Sequence, residues 1–417
     1  MKILLKSATI VDPQGGLHLK KRDLLIENGT IIQIASKIDA TEKMRVVEKD
    51  NLHVSLGWMD SSVSFGEPGY EERETIENGL NVAAASGFTD ICINPNTNPV
   101  TDNKGAVQFL KSKAANHAVQ VYPVGAMTKG ATGDDLAELY DMQQEGARSF
   151  YDYKKPVKNA NLLKIALQYC QNFNGLVQSF PMDAAIAHKG MVNEGVNSTQ
   201  LGLKGIPMLA EELQITRDLY ILEYTGGKLH IPTISTKKSV QLIKDAKKKG
   251  LDVTCSVAVH NLMLTDDALS SFDTRYKLMP PLRTKKEIKA LLNGLQDGTI
   301  DGVTSDHAPI DIEYKKIEFD HAQYGSIGLE SCFGALGNVL NLSEVITALT
   351  GLRERFGLET GEIKEGVKIP LTLFDPSPAW MFESDAILST SVTSALVRQQ
   401  MKGKVYGIIS KNKLKLN

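Results

Sequence analysis

Ile76-Glu77-Asn78-Gly79-Leu80-Asn81-Val82-Ala83-Ala84-Ala85-Ser86-Gly87-Phe88-Thr89-Asp90-Ile91-Cys92-Ile93 reads as a single folding unit. Ile76, Leu80, Ala83 and Ala84 recur at helical spacing, Gly87 can cap that helix, and Phe88 to Ile93 reads as a buried strand. The order repeats along the chain. Asp135 to Glu145 is expected to be helical, Gly146 stops it, and Ala147 to Tyr151 makes a short strand. Lys237 to Lys249, Gly250 and Leu251 to Val257 follow the same scheme, as do Lys285 to Gln296, Gly298 and Ile300 to Ser305. Helix, glycine, strand in repeated order means βα units and a parallel sheet. Candidate strands begin near Gly57, Gly87, Val119, Gly146, Gly175, Lys228, Leu251 and Ile300, which predicts a closed α/β barrel of the (β/α)8 TIM type. Such barrels place their chemistry at the C-terminal strand ends. Here those ends fall near Ser62 and Ser64, Asn94 to Asn98, Gly125, Asp152, Phe180, Thr233, Ser256 to His260, and Asp306-His307.

Outside the barrel both ends are strand-rich. Asp23 to Glu27 and Thr30 to Ile34 flank Asn28-Gly29, a hairpin signal because both turn positions need positive φ. Leu371 to Phe374 and Val405 to Ile409 are strand-like, and Lys411-Asn412-Lys413 can turn. The termini are therefore expected to meet in one small β-sandwich domain, residues 1–52 plus 366–417, around a barrel of residues 53–365. With 417 residues, 42% apolar and 23% charged, the chain has the length and composition for a barrel plus a satellite. A formal charge of -2 gives no reason to expect nucleic acid or anionic membrane as a partner. No apolar run approaches the roughly 20 residues of a membrane span, and the N-terminus is broken by charge too early for a signal peptide. A cytoplasmic location follows as an expectation, and Cys92, Cys170, Cys255 and Cys332, widely spaced, read as inert core thiols.

The most specific stretch is Gly57-Trp58-Met59-Asp60-Ser61-Ser62-Val63-Ser64-Phe65-Gly66-Glu67-Pro68-Gly69. Further on come Asn94 to Val100, Asn193-Glu194-Gly195, Pro280-Pro281-Leu282-Arg283, Asp306-His307-Ala308-Pro309 and Ile327-Gly328-Leu329-Glu330. In this order they resemble the signature stretches of dihydroorotases, of the cyclic amidohydrolase family, over nearly the whole chain. The resemblance implies a metal-dependent amidohydrolase barrel. A bound divalent metal there lowers the pKa of water to supply hydroxide for cyclic amide hydrolysis. In the family, paired histidines on the first strand, further ligands from strands four, five, six and eight, and a strand-eight Asp that shuttles the proton make up the site.

Matched residue by residue, this chain departs from that pattern. The paired histidines are Ser62 and Ser64, the fifth-strand His is Phe180 and the sixth-strand His is Thr233; Asp306 and a fourth-strand carboxylate, Asp152, persist. Hydroxyls are poor zinc ligands and a phenyl ring is none. His260 and His307 lie nearer the strand tops but read as structural histidines, and His230, three residues before Thr233, is expected to face away from the barrel interior. The Arg that would grip the substrate carboxylate is Gly66, a substrate Asn is Met279 and a second His is Ile310. Asn96 matches a substrate-binding Asn, although a turn residue reads as well. Asp306 is expected as a vestigial or residual proton shuttle, accepting hydrogen bonds from Ser62, Ser64 or Thr233. The expectation is a non-catalytic dihydroorotase-like protein of pyrimidine biosynthesis, dimeric, needing no cofactor, and a structural or regulatory partner of aspartate carbamoyltransferase, as the resemblance implies. The competing reading is an active cyclic amide hydrolase with an altered metal site, which would need zinc. A small-molecule sensor is a third.

Overall fold

The computed structural model describes all residues, 1–417. Eight parallel strands, Trp58–Val63, Phe88–Ile93, Gln120–Gly125, Ser149–Phe150, Leu176–Gln178, Lys228–Ile231, Val253–Ala258 and Gly302–Thr304, pair in sequence order. The eighth returns to the first through a parallel bridge between Val63 and His307, where Ser64 N donates to His307 O at 2.7 Å. At this seam Asp60 is buried and accepts from Ser62 N (3.0 Å), Ser305 N (2.9 Å) and the Thr304 hydroxyl. Burial pushes its carboxyl up to about 6, against those hydrogen bonds.

The helices follow from their caps. Thr75 accepts from Asn78 N and starts Ile76–Ala85, and Gly87 (φ 91°) turns the chain into the second strand. Thr236 does the same for Lys237–Lys248, and Gly146 (φ 119°) closes Leu139–Glu145. This last helix begins later than the expected Asp135, because Leu136 is held in a bridge to Thr128 and Asp135 O accepts from Lys129 N. The backbone groups that would open the helix are already paired.

Strands from both termini form a separate sheet of eight strands. His53–Leu56 joins its halves, parallel to Lys2–Ile10 and antiparallel to Leu371–Met381. The hairpin at Asn28-Gly29 has φ of 50° and 84°, and Lys411 and Asn412 (49° and 57°) turn the C-terminal hairpin in the same left-handed way. Ile3, Leu5, Ile10, Leu24, Val54, Leu371 and Ile409 make this sheet's core. Trp58 sits where the two units meet, packed against Phe88, Phe333 and Phe374. All four cysteines are free and buried. No helix is long and apolar enough to cross a membrane.

The bottom of the barrel is held by Arg353, fully buried, which donates to Asp90 Oδ2 (2.7 Å), Gly57 O (2.9 Å) and Glu359 O (2.8 Å). Removing one partner of a buried pair leaves the other charge uncompensated. Arg353→Leu is therefore expected to lower the unfolding free energy by about 3–5 kcal/mol, measured by urea denaturation.

Candidate functional site

The C-terminal strand ends converge as the barrel requires, and their side chains satisfy one another. Ser62 Oγ accepts from Asn94 Nδ2 at 3.1 Å, and Ser64 Oγ accepts from the same amide at 3.3 Å while donating to Asn96 Oδ1 at 3.1 Å. Asn96 thus stands beside the first strand as a partner of Ser64. Phe180 is buried in the barrel interior with Met59, Cys92, Val124, Tyr151 and Met279. Thr233 (φ 49°) is buried with its hydroxyl unpaired. Asp152 is turned toward the third-strand loop, where its carboxylate accepts from Thr128 N (3.0 Å) and the Thr128 hydroxyl.

Asp306 keeps Ser62 beside it, as expected, but its direct hydrogen-bond partner is not a hydroxyl. Its Oδ2 accepts from Lys154 Nζ at 2.8 Å, an ion pair with both side chains largely buried, while Ser64 and Thr233 make no hydrogen bond to it. Sequence reasoning stopped at Asp152 and missed this lysine, two residues on. Its positive φ of 52° folds the chain back there, and strand alternation does not carry past the end of a strand. Burial works against the Lys154 ammonium, but the Asp306 carboxylate beside it reverses the balance and keeps it protonated, above the ordinary lysine range. His260 Nε2 lies 4.0 Å from Asp306 Oδ2 and has no hydrogen-bond partner. Burial and the nearby Lys154 push His260 down to about 3, so it is neutral.

His307 faces Phe65 edge-on, and its Nδ1 accepts from Gly328 N (3.2 Å) and Leu329 N (3.4 Å), a structural role at the start of the helix Leu329–Val339. His230 corrects the expectation that it faces away from the interior. Its ring nitrogens meet Thr254 Oγ1 (2.9 Å) and Ser256 Oγ (3.2 Å), and it packs on Phe356 of the interior cluster. The strand ends at Ile231, so counting alternation on to Thr233 fails.

The substrate-facing loop is closed too. A Cβ built at Gly66 would lie 1.6 Å from the Tyr70 carbonyl oxygen, so the backbone leaves no room for an arginine at this position. Gly66 N donates to Glu74 O at 2.8 Å, and the buried Glu74 carboxylate receives Thr75 N, Asn78 Nδ2 and Thr390 N. A cavity of 590 Å³ opens beside the mouth, lined by Thr132, Asp152, Lys155, Asn159, Met182 and His188; Ser62, Ser64, Phe180, Thr233 and Asp306 are not among its walls.

Two of the signature stretches meet away from this centre. Arg283 Nη1 donates to Asn193 Oδ1 (2.8 Å) and Ile206 O (3.0 Å), and its Nε donates to Ser235 Oγ (3.1 Å). Glu211 lies 3.8 Å from the same guanidinium and accepts from Ser235 N, Thr236 N and Ser239 Oγ. This buried network ties loops to the long helix Met208–Thr225, which gives these motifs a structural role independent of catalysis.

The donor set bears directly on a family zinc. No three His, Cys, Asp or Glu side chains converge, the positions where the resemblance places imidazoles hold Ser62, Ser64, Phe180 and Thr233, and an ammonium lies against Asp306. These residues do not fit zinc held in the family's manner.

Two consequences are measurable. Lys154→Met should destabilise the chain by about 3–5 kcal/mol by leaving Asp306 buried without its cation, and Lys154→Met combined with Asp306→Asn should recover most of that loss in a double-mutant cycle. The second concerns acid. Burial pushes His230, His260 and His307 down to about 3, from 6.5 when unfolded. Depressed pKa values give stability that is full above pH 6.5 and is lost as pH falls toward 3. Each histidine should cost on the order of 2 kcal/mol at pH 5, and His260→Gln should flatten the pH profile of urea unfolding between pH 6.5 and 4.5.

Comparisons with known proteins agree with this architecture. A family model described as Dihydro-orotase-like matches residues 53–239. A dihydroorotase of Geotalea daltonii is 36% identical over 97% of this chain and 96% of its own length. One of Pelotomaculum thermopropionicum is 40% identical over 90% of this chain and 89% of its own. Among solved structures, the L-hydantoinase (dihydropyrimidinase) from Arthrobacter aurescens superposes with a TM-score of 0.86 at 19% identity, covering 99% of this chain and 95% of that one. A D-hydantoinase from Thermus sp. gives 0.84 at 20%, covering 100% and 95%. These two show the fold. The relatives also correct one expectation, that no cofactor is needed: the chain's relatives are dihydroorotases, a metal-dependent family, and that membership overturns it.

Proposed function

The chain belongs to the dihydroorotase family, and from that membership we propose a dihydroorotase-like protein of pyrimidine biosynthesis whose own barrel does not turn over dihydroorotate. It works as a homodimer and as a structural or regulatory partner of aspartate carbamoyltransferase. Its satellite domain is residues 1–56 with 366–417, four residues longer than the sequence boundary at 52 because His53–Leu56 pairs within the terminal sheet, and its barrel is residues 57–365. The observation that carries the loss of turnover is the Lys154–Asp306 ion pair, 2.8 Å across the mouth. A proton shuttle must be free to take and return a proton at the reacting atom. Here the Asp306 carboxylate is instead engaged by a permanent internal cation. Support comes also from Gly66, where the backbone excludes the arginine that would orient a carboxylate substrate, and from Phe180 and Met279, which fill the interior with apolar volume. Asn96, the remaining match to a substrate contact, is engaged by Ser64.

What persists in the sequence fits a scaffold role. The Arg283–Asn193–Glu211 network and the Asp60 seam keep the shape of the barrel and its loops without requiring catalysis. The partnership with aspartate carbamoyltransferase rests on the family alone.

The test is dihydroorotase activity of the pure protein, expressed in a host lacking its own enzyme and supplied with zinc or manganese. No turnover in either direction is expected, together with co-purification of aspartate carbamoyltransferase from the native source. Turnover that disappears in Asp306→Asn would instead establish an active hydrolase with a rebuilt site, in which Asp306 and the unpaired His260 Nε2 are the groups to examine.

A further inference from the structure

At the end of the barrel opposite the mouth lies a cavity of 330 Å³, walled by Asp90, Arg148 and Arg353 of the barrel and by Gly29, Lys368 and Lys411 of the terminal sheet and its approach. Arg148 immediately precedes the fourth strand, Ser149–Phe150, which places the cavity at the N-terminal strand ends. Barrels of this type carry their chemistry at the other end. A ligand here would touch both structural units without reaching the mouth.

The cavity is more positive than its own carboxylates can balance. Four cations, Arg148, Arg353, Lys368 and Lys411, line it with two carboxylates, Asp90 and Glu359, and four less two leaves two positive charges. Asp90 is already engaged by Arg353 (2.7 Å) and by the Tyr122 hydroxyl (3.2 Å). The side chains of Arg148, Lys368 and Lys411 have no hydrogen-bond or ion-pair partner in the chain. Arg148 lies over the Tyr122 ring, 5.2 Å from its centroid. Partial burial pushes the Lys411 ammonium down, and the nearby Asp90 opposes this.

Unused donors surround the same space. Arg353 is 1% exposed; its Nε and Nη1 are taken by Glu359 O, Gly57 O and Asp90, while its Nη2 has no partner. The left-handed turns Asn28-Gly29 and Lys411-Asn412 stand at the rim, and the Gly29 and Asn412 N–H groups have no acceptor. A Cβ built at Gly29 would lie 3.4 Å from Lys368 Cε and 3.8 Å from Asn412 N, so both turns and the lysine stem meet there. Backbone N–H groups of such turns make anion-binding concavities.

The excess of two charges selects the ligand class. A carboxylate brings one negative charge, whereas a phosphomonoester brings about −1.5 to −2 at pH 7 with three strong acceptor oxygens. Guanidinium and ammonium groups together suit that charge and shape. The volume sits at the low end of the roughly 300–1,000 Å³ of small-molecule sites, so the ligand is compact.

We propose that this cavity binds a phosphate dianion, free or as the phosphoryl group of a compact metabolite, held by Arg148, Lys368, Lys411 and the free Arg353 nitrogen. Its ligands come from the barrel and from the terminal sheet, so the bound anion bridges the two and stabilises their docking. It is an effector position, and it stands whether or not the barrel turns over dihydroorotate.

The experiment is calorimetric titration of the full chain at low ionic strength with inorganic phosphate and with ribose 5-phosphate, succinate serving as a dianion of different shape. One site per chain is expected, with a melting temperature that rises as the site fills. Tighter binding of ribose 5-phosphate would assign an organic phosphate, and equal binding a free one. Lys368→Gln with Lys411→Asn removes two exposed charges, asparagine tolerating the φ of 49° at the second position. This pair should weaken binding roughly tenfold or more and abolish the thermal shift, with unchanged circular dichroism. Lys286→Gln with Lys289→Gln removes the same charge from the outer helix Lys285–Gln296 and should leave affinity within about twofold. Absence of saturable binding of both phosphates at millimolar concentration overturns the proposal. So does affinity that survives the loss of Lys368 and Lys411, an equal loss in the outer-helix variant, or succinate binding as tightly as phosphate.

Discussion

The barrel depends on one buried carboxylate at its seam. A sheet of eight strands closes only if the first and last strands meet in register, and here they share little more than one backbone bridge. Asp60 supplies the rest from the first strand, accepting from its own Ser62 N, from the Thr304 hydroxyl of the eighth strand and from Ser305 N. Those donors fix where Ser62, Ser64 and Asp306 emerge, because each lies within a few residues of the clasp. The chemistry of the mouth is thus set by the same geometry that closes the fold.

What emerges at the mouth is a polar arrangement that is largely satisfied from within. Two serines share one asparagine amide, a threonine occupies both oxygens of Asp152, and a lysine from beyond the fourth strand neutralises Asp306. Burying an unpaired carboxylate costs far more than burying a paired one. Lys154 supplies an opposing charge at Asp306. A few buried polar atoms remain unpaired here, the His260 Nε2, the Thr233 hydroxyl and one Asp306 oxygen among them. A cavity at this end of the barrel lies beside Asp152 and Met182, and Phe180 and Met279 are buried together in the interior cluster. The positions where the resemblance places imidazoles hold Ser62, Ser64, Phe180 and Thr233.

Much of this was legible in the sequence, for reasons particular to the elements involved. Gly87, Gly146 and Gly250 mark helix ends because each adopts a positive φ that other residues resist, and the strands after them read correctly. The hairpin at Asn28-Gly29 is legible for the same reason. The start of the helix at Leu139 was not, since Leu136 is claimed by a bridge to Thr128 that lies outside any local window. His230 and Lys154 were misjudged or missed because strand parity stops where the strand stops, at Ile231 and at Phe150.

By itself the sequence determined the order of βα units, the parallel barrel and the pairing of its two β-rich ends. Those are properties of periodicity, turn chemistry and residue identity, which act over a few neighbours. Only the tertiary structure decided that Lys154 reaches Asp306, that Gly66 has no space for a side chain, and that Arg283 joins Asn193 and Glu211. Each of these depends on groups far apart in the chain, brought within a few ångströms by closure of the barrel. The local sequence carries no record of such distances.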